Sequence, residues 1–223
     1  MTNNKQQTTN NKQQTQCQSA TWEDYTAWRN DQTTERVRLF FYQGWLWVDM
    51  GVEGINHATI SDLFTMLFFI WSTHRPDQVF SSLGRCLLEK SPLKAGAPDL
   101  VLYLGEDYPC WQPGELRRID LHQWPVPNLV GEISDTTLAN DLDEKKDLYA
   151  SLGIQEYWVI DVRGQRVFAF ELQNGKYQEC TKSLALEGLP ISLLNQALER
   201  LSREANTRVA AWLAQQIAGL PQK

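Results

Sequence analysis

The stretch 128–161, NLVGEISDTTLANDLDEKKDLYASLGIQEYWVID, reads as strand, loop, helix and strand, and it puts ionisable groups where a core normally takes apolar ones. Residues 128–134 (NLVGEIS) have the make-up of a buried strand, yet Glu132 stands in the middle. Residues 140–152 (NDLDEKKDLYASL) read as a helix closed by Gly153 at its C-cap. At about 100° per residue, Leu142, Leu148, Tyr149 and Leu152 define one face. Lys145 projects from the middle of that face, whereas Lys146 points roughly a quarter turn away. An ammonium aimed at a core needs a negative partner or a lowered pKa. Glu132, on the strand this helix should pack against, is the candidate partner.

Working outward, residues 97–104 (APDLVLYL) hold a second carboxylate of the same kind. Pro98 fixes the start of a strand in which Asp99, Val101 and Tyr103 share one face and Leu100, Leu102 and Leu104 the other. An Asp at the mouth of one strand, a Glu inside the next and a Lys on the following helix form a trio on elements that should touch. Two hard oxygen donors suit Mg²⁺ or Mn²⁺, and an ammonium beside them can hold or deprotonate a water. Each residue also has an ordinary reading: Asp99 starting a turn, Glu132 pairing with a buried Arg, Lys145 snorkelling to the surface, Asp141 as helix N-cap or first-turn acid. The coincidence of three charges on core-facing positions favours a shared cleft.

These residues resemble the PD-(D/E)XK nuclease superfamily, with Pro98-Asp99 as its first acidic element and Glu132-Ile133-Ser134 in the place of its E-x-K element. Serine stands where lysine is usual, and Lys145 looks like the lysine displaced onto the next helix. Within the superfamily the chain is most similar to the Uma family of restriction-endonuclease-like bacterial proteins. It carries that family's run from Asp141-Leu142 through Glu144-Lys145, Leu148-Tyr149-Ala150, Gly153 and Glu156-Tyr157-Trp158 to Asp161. The likeness covers about residues 21–180. It implies an α/β fold, a restriction-endonuclease-like mixed β-sheet flanked by helices. It also implies metal ligation by Asp99, Glu132 and the Ile133 backbone carbonyl, with Lys145 catalytic. Lys145-x-x-x-Tyr149 is similar to the Gln-x-x-x-Tyr element of exonuclease-type relatives, the alternative being a core tyrosine. His57 matches a family position and otherwise reads as a capping or core histidine. Where the family often carries a glutamate before a turn, this chain has Phe40.

The 223 residues suit one domain with tails, and nine Trp with eight Phe imply an aromatic interior. Cys17, Cys86, Cys110 and Cys180 lack C-x-x-C spacing, which argues against zinc or a disulfide framework and fits a cytoplasmic location. No apolar run spans a membrane, and the polar N-terminus does not read as a signal peptide. A net charge of −6 excludes a strong non-specific DNA binder but not a nuclease with a basic cleft.

Residues 1–20 hold a tandem, TNNKQQT at 2–8 and 9–15, without apolar positions, and read as a disordered tail. The nuclease-like domain then runs over 21–190, opening with a short helix capped by Thr21 and Asp24. Residues 36–50 read as two strands joined at Gln43-Gly44, and 57–73 as an amphipathic helix. Residues 78–89 suggest a strand pair, near which Arg85, Lys90 and Lys94 offer a phosphate track or simply a solvated face. The connection 105–127 mixes Arg117, Arg118 and His122 with Trp111 and Trp124, as a nucleic-acid contact or an ordinary flap would. Turns at Arg163-Gly164 and Asn174-Gly175 predict an antiparallel meander. Residues 191–223 read as a C-terminal helix packing on the domain or pairing across a homodimer. Two functions follow: a Mg²⁺-dependent endonuclease acting on DNA, or a nuclease-fold protein that binds nucleic acid or a protein without cutting.

Overall fold

The computed structural model describes residues 15–31, 37–49, 53–114 and 116–221. Strand β1 (Thr15–Ser19) precedes helix α1 (Trp22–Asn30). Thr21 and Asp24 close a capping box on α1, as the sequence predicts. Strands β2 (Arg38–Tyr42) and β3 (Trp45–Asp49) form the expected hairpin, whose turn places Gln43 and Gly44 at φ 50° and 77°. Then come α2 (Ile55–Thr73), β4 (Phe80–Ser82), β5 (Leu87–Lys90), β6 (Lys94–Gly96), β7 (Leu100–Leu104), β8 (Arg118–Asp120) and β9 (Leu129–Ser134). Helices α3 (Leu138–Leu142) and α4 (Glu144–Leu152) lead into the meander β10 (Glu156–Asp161), β11 (Arg166–Gln173) and β12 (Lys176–Cys180). Helices α5 (Ile191–Leu201) and α6 (Asn206–Ala218) end the described chain.

The fold is mixed α/β, with two sheets where the sequence reading has one. One sheet runs β1-β3-β2-β6-β5-β8 and the other β12-β11-β10-β9-β7-β4. In the second, β9 pairs parallel with β10 and antiparallel with β7. The α3–α4 segment makes the crossover that a parallel pair requires. Alternation along each strand builds the layers. Leu129 and Ile133 of β9, with Leu100 and Leu102 of β7, face α2, α5 and α6. Val130, Val101 and Tyr103 point the other way, meeting Phe40 and Trp47 of the first sheet and Leu148 and Tyr149 of α4. The outer face of the first sheet covers Tyr25 of α1 through Leu39, Phe41, Leu46 and Val48.

Four expectations are corrected. The tail read over residues 1–20 ends earlier, because Thr15–Ser19 pairs antiparallel with β3 (residues 1–14 lie outside the described residues). Residues 78–89 do not pair with each other: β4 joins β7, and β5 joins β6 and β8. The helix read over 140–152 starts earlier and is broken at Asp143, whose φ −119°, ψ −89° lies off the helical region. The C-terminal helix is two helices, and both α5 and α6 pack into the core beside α2.

Candidate active site

The site lies between the sheets, on the face that β2, β3, β7, β9 and α4 share. Asp99, just before β7, continues the Val101 and Tyr103 face, and Glu132 continues that of Val130. Both carboxylates are about 1% exposed. They converge as the sequence reading requires: Nη1 of Arg38 lies 2.5 Å from Asp99 Oδ1 and 3.5 Å from Glu132 Oε2. Asp99 Oδ2 accepts the Ile133 N–H at 2.8 Å, so the residue after Glu132 orients the first acid. Lys145 is buried, not snorkelled, with Nζ 3.1 Å from Glu132 Oε2, 2.8 Å from Asp141 Oδ1 and 4.1 Å from the Phe40 ring centre.

The supporting residues cluster around that core. The Tyr149 hydroxyl donates to Glu132 Oε1 at 2.5 Å. Asp141 is not the N-cap, which is Thr137, but it is the first-turn acid of α3, and its carboxylate does more than face the helix dipole. Its Oδ2 accepts the hydroxyls of Ser134 and Thr137, while its Oδ1 meets Lys145. Ser134 thus reaches Lys145 through Asp141. His57 Nε2 lies 3.2 Å from Asp99 Oδ1, and Glu53, His57 and Asp99 each bring a ligand-type atom within 4.8 Å of the others. Arg85 borders this group, its Nη2 2.6 Å from Glu53 Oε2 and 3.3 Å from His57 Nδ1.

The charges set each other's protonation. Burial alone would raise the Asp99 carboxyl, but Arg38, His57 and the Ile133 N–H hold it well below the usual range. Burial pushes Glu132 up to about 7, helped by Asp99 and Asp141 and opposed by Lys145 and Arg38. For Lys145, burial favours loss of the proton, and the Glu132 and Asp141 charges outweigh it and raise the pKa. The resting lysine is therefore an ammonium.

Not every expected residue reaches the site. Lys94 Nζ donates to the Ser151 carbonyl near the end of α4. Arg118 lies 3.6 Å from Glu89, which also pairs with Arg29. Arg117 donates to the Gly84 carbonyl, beside Arg85. The sequence reading missed Arg38, Asp49 and Glu53. Arg38 Nη2 meets Asp49 Oδ2 at 2.7 Å, and the two residues are direct cross-strand partners. That pairing was available from the Gln43-Gly44 turn, which fixes the register and puts Arg38 on the Phe40 face. The i, i+4 spacing of Glu53 and His57 was an equal signal.

The fold has a solved counterpart. The model is similar to a "putative nuclease belonging to DUF820" from Anabaena variabilis, with TM-score 0.53 and 14% identity over 86% of this chain and 98% of that one. A search of the curated proteins gives no match. The model of the Uma2 family, described as "Putative restriction endonuclease", matches residues 22–217, and the chain belongs to that family. Among the described residues no helix is long and apolar enough to cross a membrane.

Proposed function

We propose that the chain is a PD-(D/E)XK-type endonuclease that hydrolyses phosphodiester bonds in DNA with Mg²⁺ or Mn²⁺. The observation that carries this reading is the approach of two buried carboxylates to one guanidinium nitrogen, beside a buried ammonium. The donors fit a hard divalent ion: Asp99 and Glu132 bring carboxylate oxygens to one point, and Asp141 adds a third acid on the far side of Lys145. Asp99, Glu132 and the Ile133 carbonyl would hold the ion, with His57 alongside. Bound there, a divalent ion supplies Lewis acidity and a more acidic water. Asp99 is kept ionised and oriented by Ile133 N–H, and Tyr149 fixes the Glu132 carboxylate. Lys145, anchored by Asp141, presents its positive charge to the water and to the charge that builds on the phosphorus oxygens. As an ammonium it orients and stabilises, and takes up no proton.

The test is plasmid nicking in Mg²⁺ or Mn²⁺, with Asp99→Ala and Lys145→Ala as controls. Each substitution is expected to lower the rate by a factor of at least about 10². Intact plasmid with the wild-type chain in both metals would reject the reading. One observation favours a second one, a DNA-binding protein that does not cut: the Phe40 ring lies against Lys145, at the position where the family resemblance implies a glutamate. That reading expects DNA retention in a mobility shift, unchanged by Asp99→Ala.

A further inference from the structure

We infer that Arg38 is the resident counter-ion of this pocket and competes with the divalent cation, so that loading the metal requires the guanidinium to let go of Asp99 and Glu132 and swing onto Asp49. The inference rests on the metal-dependent reading above and adds a residue which that reading leaves without a role.

The assignment follows from which oxygens are free. Asp99 Oδ2 is committed to the Ile133 N–H, and Glu132 Oε1 to the Tyr149 hydroxyl. The oxygens left to face a shared ion are Asp99 Oδ1, which His57 Nε2 approaches at 3.2 Å, and Glu132 Oε2, which Lys145 Nζ meets at 3.1 Å; Arg38 Nη1 bridges the two, at 2.5 and 3.5 Å. Two carboxylates this buried cannot stand side by side without positive charge. Lys145 supplies it on the Glu132 side and Arg38 between the two acids, so folding does not have to await an ion. A divalent cation at the same oxygens would repel the guanidinium across a short, poorly screened distance.

The guanidinium has somewhere to go. It is a fork, and its second prong already rests 2.7 Å from Asp49 Oδ2 on the paired strand. Releasing one prong keeps the other ion pair, so the displacement is a pivot and not an extrusion. With its side chain 17% exposed, Arg38 also borders solvent, unlike Asp99 or Glu132.

A purely structural Arg38, one that merely holds Asp99 in place, predicts the opposite sign on metal affinity. Titration calorimetry of Mn²⁺ into the full chain distinguishes them. Arg38→Gln is expected to tighten Mn²⁺ binding by at least about tenfold, and Arg38→Lys, which keeps one charge, to lie between it and wild type. Unchanged or weaker binding by Arg38→Gln overturns the inference while leaving the metal site standing. If neither the wild type nor the variant binds Mn²⁺ or Mg²⁺, the metal reading falls and this inference with it. Should Arg38→Gln fold only when Mn²⁺ is present, the competition is supported directly. A second measurement reads the wild type and needs only the conservative variant for assignment: with ¹⁵N-labelled arginine, saturating Mg²⁺ should move the Arg38 side-chain resonance, identified by its loss in Arg38→Lys. A resonance that stays put overturns the proposal.

Discussion

Glu132 sits between the demands of the fold and those of an ion. Burial raises its pKa from 4.5 to about 7, so the folded metal-free chain holds this proton more tightly than the unfolded chain does. Its contribution to stability is complete below 4.5 and is lost as pH rises through about 7. Asp99 has the opposite sign: its lowered pKa contributes above 3.8 and is lost as the pH falls. Between pH 4.5 and 7, thermal melts of the metal-free wild type should therefore decline more steeply with pH than those of Glu132→Gln. Parallel slopes would show that Glu132 is ionised throughout that window. Buried acid alone does not define a site, as Glu156 demonstrates. Its carboxylate is saturated by Trp158 Nε1, the Ser183 hydroxyl and the N–H groups of Leu184 and Ala185, and it ties β10 to that turn. Glu132 was visible in the sequence as an acid inside a strand, Glu156 opens one, and only their neighbours separate the two roles.

At the scale of elements, close backbone approach places the acids. A methyl at Gly84 would come within 2.7 Å of the Asp99 carbonyl oxygen, a contact with backbone that no side-chain rotation relieves. Gly84→Ala should therefore cost about 1–3 kcal/mol in chemical denaturation and displace Asp99. Gly54, the N-cap of α2, where a methyl meets nothing within 4 Å, is the control: Gly54→Ala should cost only the N-cap preference, under about 1 kcal/mol, and keep cleavage near wild type. Equal effects of the two substitutions would remove the argument that this contact sets Asp99. The Asp143 break matters for a similar reason. It separates α3 from α4, yet leaves Asp141 and Lys145 paired across the junction. The helical period of residues 144–152 gave the buried face of α4 correctly, including Lys145, because that face is written locally. The break was not legible from the helical period, and the Asp141 carbonyl just before it accepts the Tyr157 hydroxyl from β10, a partner the local sequence does not reveal.

Across the whole molecule, the acidic cluster and the helical layer are on opposite faces of one sheet. Leu213 of α6 is buried with α2 and α5 on the far face from Glu132. Leu213→Ala should cost about 2–5 kcal/mol in urea denaturation and leave Mn²⁺ affinity and cleavage per folded molecule unchanged. A matching loss of metal affinity would mean that the two faces are coupled through the sheet. The same geometry explains the break between α5 and α6, which lets both helices lie on that layer.

The sequence by itself determined the elements that carry the trio: period two fixed the faces of Asp99 and Glu132, and helical period fixed that of Lys145. Such patterns arise from backbone geometry over a few residues, so they can be read without knowing what lies opposite. Only the tertiary structure decided that a second sheet closes over these residues and delivers Arg38, with its cross-strand partner Asp49, to acids 61 and 94 positions away. The cause is physical: a buried charge is settled by its surroundings, and those are assembled by long-range packing that no local pattern encodes.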